Sequence, residues 1–325
     1  MNKNMKKFAG LLAAFFTSVL VHSWAMAAYP DRPITLIVPF PPGGSTDVVA
    51  RILANKASVL LGQKMIVENR PGAGTVIGSR LVAKAAPDGY TLLMGNTSLT
   101  VNASLLKDLP YDTVKDFTPI AFIASTPGAF LAQAQKPYKT FKEFVDYTRA
   151  NPGTVVYSSA GIGSWPHLSM EMLADTVGLK MLHVPYQGTG PAKADLIAGR
   201  VDVKIEGYVT SKDMVQDGRL NVLAVTGAKR APYLPNVPTI AELGYPEYES
   251  IYWLGIVGPA GMPADIVATL EKVMLAICKD PEFIKDMVDR DVDVQGQSAQ
   301  GLRIEMDKQI AKWKKVIEQA NVQAQ

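Results

Sequence analysis

A short, mostly apolar run, Ile34–Val38, leads directly into Pro39-Phe40-Pro41-Pro42-Gly43-Gly44-Ser45-Thr46-Asp47, and this junction restricts the fold more than any other stretch. A short β-branched run reads as a buried strand. Prolines and glycines stop it, and Ser45 and Thr46 are residue types that favour the N-cap. Val48, Val49, Ile52, Leu53, Leu60 and Leu61 then recur at helical spacing, with Gly62 as the stop. The order strand, glycine turn, helix start leaves backbone N–H groups and the positive end of a helix dipole facing one point. An anion such as a carboxylate suits that point. Any strand-to-helix connection also needs a turn, so the stretch alone leaves both readings open.

The rest of the chain alternates strand and helix signals, which predicts an α/β fold with mostly parallel strands. Strands are expected at 65–67, 90–94, 120–124, 155–158, 181–184, 201–205, 220–225 and 251–257, and two amphipathic helices at the end. Thr140 and Glu143 have capping-box spacing. The opening logic recurs at Ser158-Ser159-Ala160-Gly161-Ile162-Gly163-Ser164-Trp165-Pro166-His167, where glycines turn the chain and Ser164 is placed to cap a helix. Asn96 and Thr97 follow a strand, at the carboxyl end where open α/β sheets hold ligands. Two similar turns on two halves of the chain predict a cleft between lobes that close by hinge motion.

Residues 1–27 read as an export signal: Lys3, Lys6 and Lys7, then 14 residues from Phe8 to Val21, then Ala25-Met26-Ala27. The formal charge of +3 rests on those lysines. Without them, 33 less three leaves 30 basic residues against 30 acidic ones, so the mature chain is neutral. No dense basic run is present, which argues against nucleic-acid binding. No histidine or cysteine spacing suggests a metal site, and no cofactor is expected. Gly72, Gly74 and Gly78 imitate a dinucleotide fingerprint, but Pro71 and the long approach from the preceding strand argue against it. The one cysteine, Cys278, shares a helix face with Leu270, Met274 and Ile277 and reads as a buried small hydrophobe.

The motifs taken together resemble a known family. Tyr29-Pro30, residues 39–47, Glu68–Gly74, Ala86–Leu93, Ser158–Leu168, His183–Ala192 and the Ala224-Val225-Thr226 segment are similar to substrate-binding receptors of tripartite tricarboxylate transporters, also called Bug-type receptors. The likeness spans nearly the whole mature chain in order. It implies a type II periplasmic binding protein fold, two lobes with a ligand cleft between them. Residues 28–126 with 252–325 are expected to form the first lobe, and 127–251 the second. It implies a small carboxylate ligand, a periplasmic location and delivery to membrane permease subunits; a monomer is expected. Carried over by motif, Pro41, Gly43, Gly44, Ser45, Thr46 and Asp47 form one clamp. Ser158, Ser159, Gly163, Ser164 and His167 form the other, with Tyr186 and Gln187 on a third loop. Trp165 and Glu206 depart from the family's usual residues. Trp165 is expected to shape the pocket. Glu206 either receives a ligand amine or hydroxyl or braces a neighbouring loop. An exported sensor using the same cleft is the second reading. A hydrolase built on Ser164 and His167 is the third, and it lacks both a nucleophile elbow and a group to orient the histidine.

Overall fold

The computed structural model describes residues 29–323, so the export signal proposed at 1–27 lies outside the described residues. The strands are β1 (Ile34–Val38), β2 (Met65–Asn69), β3 (Thr91–Asn96), β4 (Phe117–Gln133), β5 (Val156–Ser159), β6 (Leu182–Pro185), β7 (Val203–Gly207), β8 (Leu220–Val225), β9 (Ile251–Pro259) and β10 (Asp293–Gln297). The helices are α1 (Ser45–Leu61), α2 (Val76–Ala83), α3 (Thr97–Leu105), α4 (Phe141–Ala150), α5 (Trp165–Val177), α6 (Thr189–Ile197), α7 (Lys212–Gln216), α8 (Ala264–Ile277), α9 (Pro281–Val288) and α10 (Ala299–Gln319). Three helices close the chain where two were expected. The strand β10 between them was not anticipated, because Asp293-Val294-Gln295-Gly296-Gln297 carries almost no apolar signal.

The strands join in the order β2-β1-β3-β9-β4-β7-β5-β6, with β8 and β10 also on β4. Pairing is parallel across β2, β1 and β3, and again across β7, β5 and β6; it is antiparallel where β9 meets β3 and where β4 meets β9 and β7. The pivotal strand is β4. Its residues 117–127 pair with β9, and residues 128–133 pair with β7 and β8. The change of partners falls at Pro127-Gly128. Proline offers no ladder donor, and the Gly128 N–H leaves the ladder for Thr226 Oγ1 at 2.6 Å.

Each half of the sheet is covered on both faces, and strand alternation sorts the side chains. Ile34, Leu36 and Val38 pack toward α1, α8 and α9, while Ile37 points to the opposite layer with Phe122, Trp253 and Leu302. In the second half Phe130 and Ala132 pack toward α4 and α5, while Ala129 and Leu131 face Leu196 and Tyr208. The last helix divides its buried face: Leu302 and Met306 sit in the first half, and Trp313, Val316 and Ile317 in the second. Cys278 is buried among Leu270, Met274 and Ile277, and burial pushes its thiol up to about 11.

Candidate functional site

The first glycine turn connects β1 to α1. Gly44, not Ser45 or Thr46, takes the N-cap position, and no side chain caps the helix. Ser45, Thr46 and Asp47 therefore lie inside the first turn, where N–H groups have no partner within the helix. Pro41, Gly43, Gly44 and Ser45 are exposed, whereas Thr46 and Asp47 are buried. Gly43 has φ +82°, a left-handed conformation that glycine adopts without cost. Asp47 shapes the turn from beneath. Its carboxylate accepts from the Gly43 N–H at 2.9 Å, Arg51 Nε at 3.0 Å and Asn69 Nδ2 at 2.8 Å. Burial raises its pKa, but those three donors outweigh it and hold the carboxyl at about 2. So Asp47 is a brace for the loop, with its oxygens occupied.

The second glycine turn connects β5 to α5. Ser164 occupies the N-cap position with extended backbone, yet its side chain makes no cap bond. This corrects the expectation that Ser164 caps the helix: its hydroxyl donates instead to Gly161 O at 2.6 Å. Pro166 removes one N–H from the first turn, leaving those of Trp165 and His167. Four helices carry side-chain caps, from Asn96 for α3, Thr140 for α4 in a full capping box, Asp280 for α9 and Ser298 for α10, while α2, α6, α7 and α8 carry none. Neither glycine-turned helix receives such a cap.

Two histidines support the second turn. His167 Nδ1 accepts from the Gly163 N–H at 3.1 Å, and His183 Nε2 lies 2.7 Å from Ser159 Oγ. Their rings stack with centroids 3.9 Å apart, and Tyr157 stacks on His183 at 4.7 Å. Glu171 sits 3.6 Å from His167 Nε2 and accepts from the Tyr157 hydroxyl. His167 is buried, so it supports the loop from behind. Burial, joined by the neighbouring His167, pulls His183 down to about 4.

The remaining candidates separate clearly. Ser158 and Ser159 are fully buried, the first bonded to Ala192 O at 3.4 Å. Asn96 and Thr97 are fully buried as well. Asn96 caps Ser98, and Thr97 Oγ1 accepts from the Trp253 N–H at 3.0 Å. Their polar atoms face protein. Tyr186 donates to Asp195 at 2.6 Å, and Gln187 is exposed on the same loop. Glu206 is buried and accepts from Lys204 Nζ and from the Ser211 hydroxyl. It braces the turn that leads into α7. Trp165 is only 9% exposed, and its indole N–H donates to Ser250 Oγ at 2.9 Å. Its ring is a packed wedge and offers little surface to a guest.

A residue that the sequence did not single out stands between the two turns. Tyr252, on β9, places its hydroxyl 3.4 Å from Thr46 Oγ1 and its ring 5.9 Å from that of Trp165. Within an apolar strand a tyrosine reads as core, and only the pairing of β9 with β4 brings it here.

Two α/β halves sharing crossing strands have the type II fold of periplasmic binding proteins. A family model described as tripartite tricarboxylate transporter family receptor matches residues 49–322. The chain belongs to that family, one of solute receptors and not of enzymes. It is 36% identical to protein BugT of Bordetella pertussis over 272 residues, 83% of either chain. Among solved structures, Rpa4515 of R. palustris with adipate is 34% identical with TM-score 0.80, covering 91% of this chain and 99% of that one. MatC of Rhodopseudomonas palustris with bound malate is 31% identical with TM-score 0.75, covering 89% and 100%.

Proposed function

We propose that this protein is an exported receptor that captures a small dicarboxylate between two lobes and hands it to the permease of a tripartite transporter. The lobes are residues 28–126 with 252–325, and residues 127–251; the receptor works as a monomer in the periplasm. The carrying observation is the pair of uncapped, glycine-turned helix starts at Gly44–Asp47 and Ser164–His167, both reached by Tyr252, in turns that contain no lysine or arginine. A guest carboxylate then meets backbone N–H groups, hydroxyls and helix dipoles, each helix end contributing about 0.3–1 kcal/mol, and up to about 2 when partly buried. Gly44, Ser45 and Thr46 form one grip, the Gly43 N–H being held by Asp47; the N–H groups of Trp165 and His167 with the Tyr186-Gln187 loop form the other, those of Gly163 and Ser164 being held by His167 and Gly161 O. Asp47, Ser159 and His167 hold those loops in shape. The adipate and malate of the two solved relatives support a dicarboxylate over a monocarboxylate.

The test is a thermal-shift screen of the mature protein against malate, adipate, citrate and benzoate. An acid at 100 times its dissociation constant adds about 2.7 kcal/mol of apparent stability. A crystal structure with the best acid should place a carboxylate at Gly44–Thr46 or Trp165–His167. A carboxylate held in an arginine or lysine fork elsewhere would sink the proposal.

A further inference from the structure

The segment Ser250–Trp253 is attached alternately to the two halves of the molecule. Ser250 belongs to the second half: its Oγ accepts from the Trp165 indole and lies 2.6 Å from Ser169 Oγ, which itself donates to Trp165 O at 2.7 Å. The Ser250 carbonyl also accepts from Thr226 Oγ1 at 2.5 Å. Trp253 belongs to the first half: its N–H donates to Thr97 and its indole to Thr100 Oγ1 at 3.3 Å. Tyr252 lies between them, opposite Thr126 on β4, just before β4 changes partners. Among the described partly buried residues it alone packs against both of the two largest cores.

Its polar end is incompletely used. The Thr46–Tyr252 contact of 3.4 Å is at the long limit for two hydroxyls, which normally approach to about 2.7–2.8 Å. Burial holds the phenol protonated well above neutral pH, so it is a neutral donor at the start of α1. The ring meets Trp165, the first residue of α5, edge-on at 62°. One side chain therefore touches the first turn of both glycine-turned helices.

We infer that Tyr252 is a ligand-contacting and positioning residue, whose hydroxyl donates to a carboxylate of the bound dicarboxylate beside Thr46 and whose ring passes occupancy to Trp165. The inference rests on the receptor reading above and adds to it a residue that belongs to neither glycine turn. Closure then needs no new contact across open space. A guest that draws the Tyr252 hydroxyl toward α1 moves a ring already seated on α5.

The experiment titrates malate and adipate into the mature parent, Tyr252→Phe and Trp165→Phe, reading affinity by calorimetry and closure by tryptophan emission. Tyr252→Phe keeps the ring and removes only the hydroxyl. It should weaken binding of the acid that the parent binds by about 10- to 100-fold. The ligand-induced emission change should be smaller in Tyr252→Phe at saturation and absent in Trp165→Phe. Tyr252→Phe at parental affinity would overturn the contact, because a packing role alone leaves affinity unmoved. An undiminished emission change in folded Trp165→Phe would overturn the relay. Should Trp165→Phe fail to fold, an emission change in Tyr252→Phe equal to the parent's overturns the relay instead. A parent that responds to neither acid nor to citrate or benzoate overturns the receptor reading and this role with it. A responding parent with an unaltered Tyr252→Phe variant overturns the tyrosine's role alone.

Discussion

The two glycine turns present the same backbone arrangement, but they are held by opposite chemistry. The turn before α1 is held by a charge: buried Asp47 gathers the Gly43 N–H, Arg51 and Asn69. The turn before α5 is held by neutral rings: His167 accepts from the Gly163 N–H, and His183 pairs with Ser159. A loop that must offer donors to an anion needs rigid backing, and here the backing takes one glycine N–H from each turn and leaves those at the helix start free. Either a buried carboxylate or a buried imidazole supplies it. The difference is in the response to acid. Asp47 keeps its charge until about pH 2. His167 accepts from Gly163 through the lone pair of Nδ1, and burial holds the neighbouring His183 down at about 4.

That contrast can be broken at its strongest point first. Asp47→Ala leaves the Gly43 N–H and Asn69 without their acceptor. It should cost about 1.5–3 kcal/mol in urea unfolding, the range for hydrogen bonds to a charged group, and should abolish carboxylate binding. Next in size is Gly163→Ala. Gly163 has φ +74°, and an added Cβ would lie 2.2 Å from Leu105 Cδ2, so Leu105 must move as well. The left-handed backbone alone costs about 1–2 kcal/mol. Gly43→Ala meets nothing within 4 Å and should show only that backbone cost, a difference that a paired set of melts will resolve.

A pH series sharpens the same comparison. His183 is held down at about 4 in the fold, below its ordinary 6.5, so folding favours the neutral ring. The stabilisation from that shift is full above pH 6.5 and is lost as the pH falls toward 4. The melting temperature should therefore drop across this window, and the drop should flatten in His183→Gln. Asp47 has the same sign at lower pH: its contribution is present above 3.8 and fades toward 2. A parent whose melting temperature is level between pH 6.5 and 4 would remove the distinction between the two turns. The smallest effect belongs to Ser164→Ala. Its hydroxyl bonds Gly161 O and caps nothing, so a loss of about 0.5–1.5 kcal/mol is expected in the unliganded protein. A larger loss would mean that Ser164 supports α5 by another route.

The loops that make up the candidate site were readable in order along the chain. Both glycine turns, the loop at Tyr186-Gln187 and the capping box at Thr140 stand where their residue types put them. Roles within those motifs were less readable. Asp47 sits inside a binding-loop motif but works as a brace, since its partner Asn69 is 22 positions away and meets it only when β2 pairs with β1. Glu206 was open between ligand and brace, and the proximity of Lys204 and Ser211 gives it the bracing role. Trp165 promised a pocket wall, but Ser250, 85 residues on, captures its indole and turns it inward.

Local physical chemistry was enough for the strand-turn-helix units, because apolar period, proline, glycine and hydroxyl residues act within a few positions. The alternation of those units, with the resemblance of their motifs, was enough for the α/β class and the receptor family. Only the tertiary structure decided which polar atoms remain free. A strand such as β9 carries Tyr252 as one more apolar residue until its pairing with β4 places the hydroxyl beside Thr46 and the ring against Trp165. Whether a side chain braces or binds depends on partners that are distant in sequence, and chain crossing, not local propensity, brings those partners together.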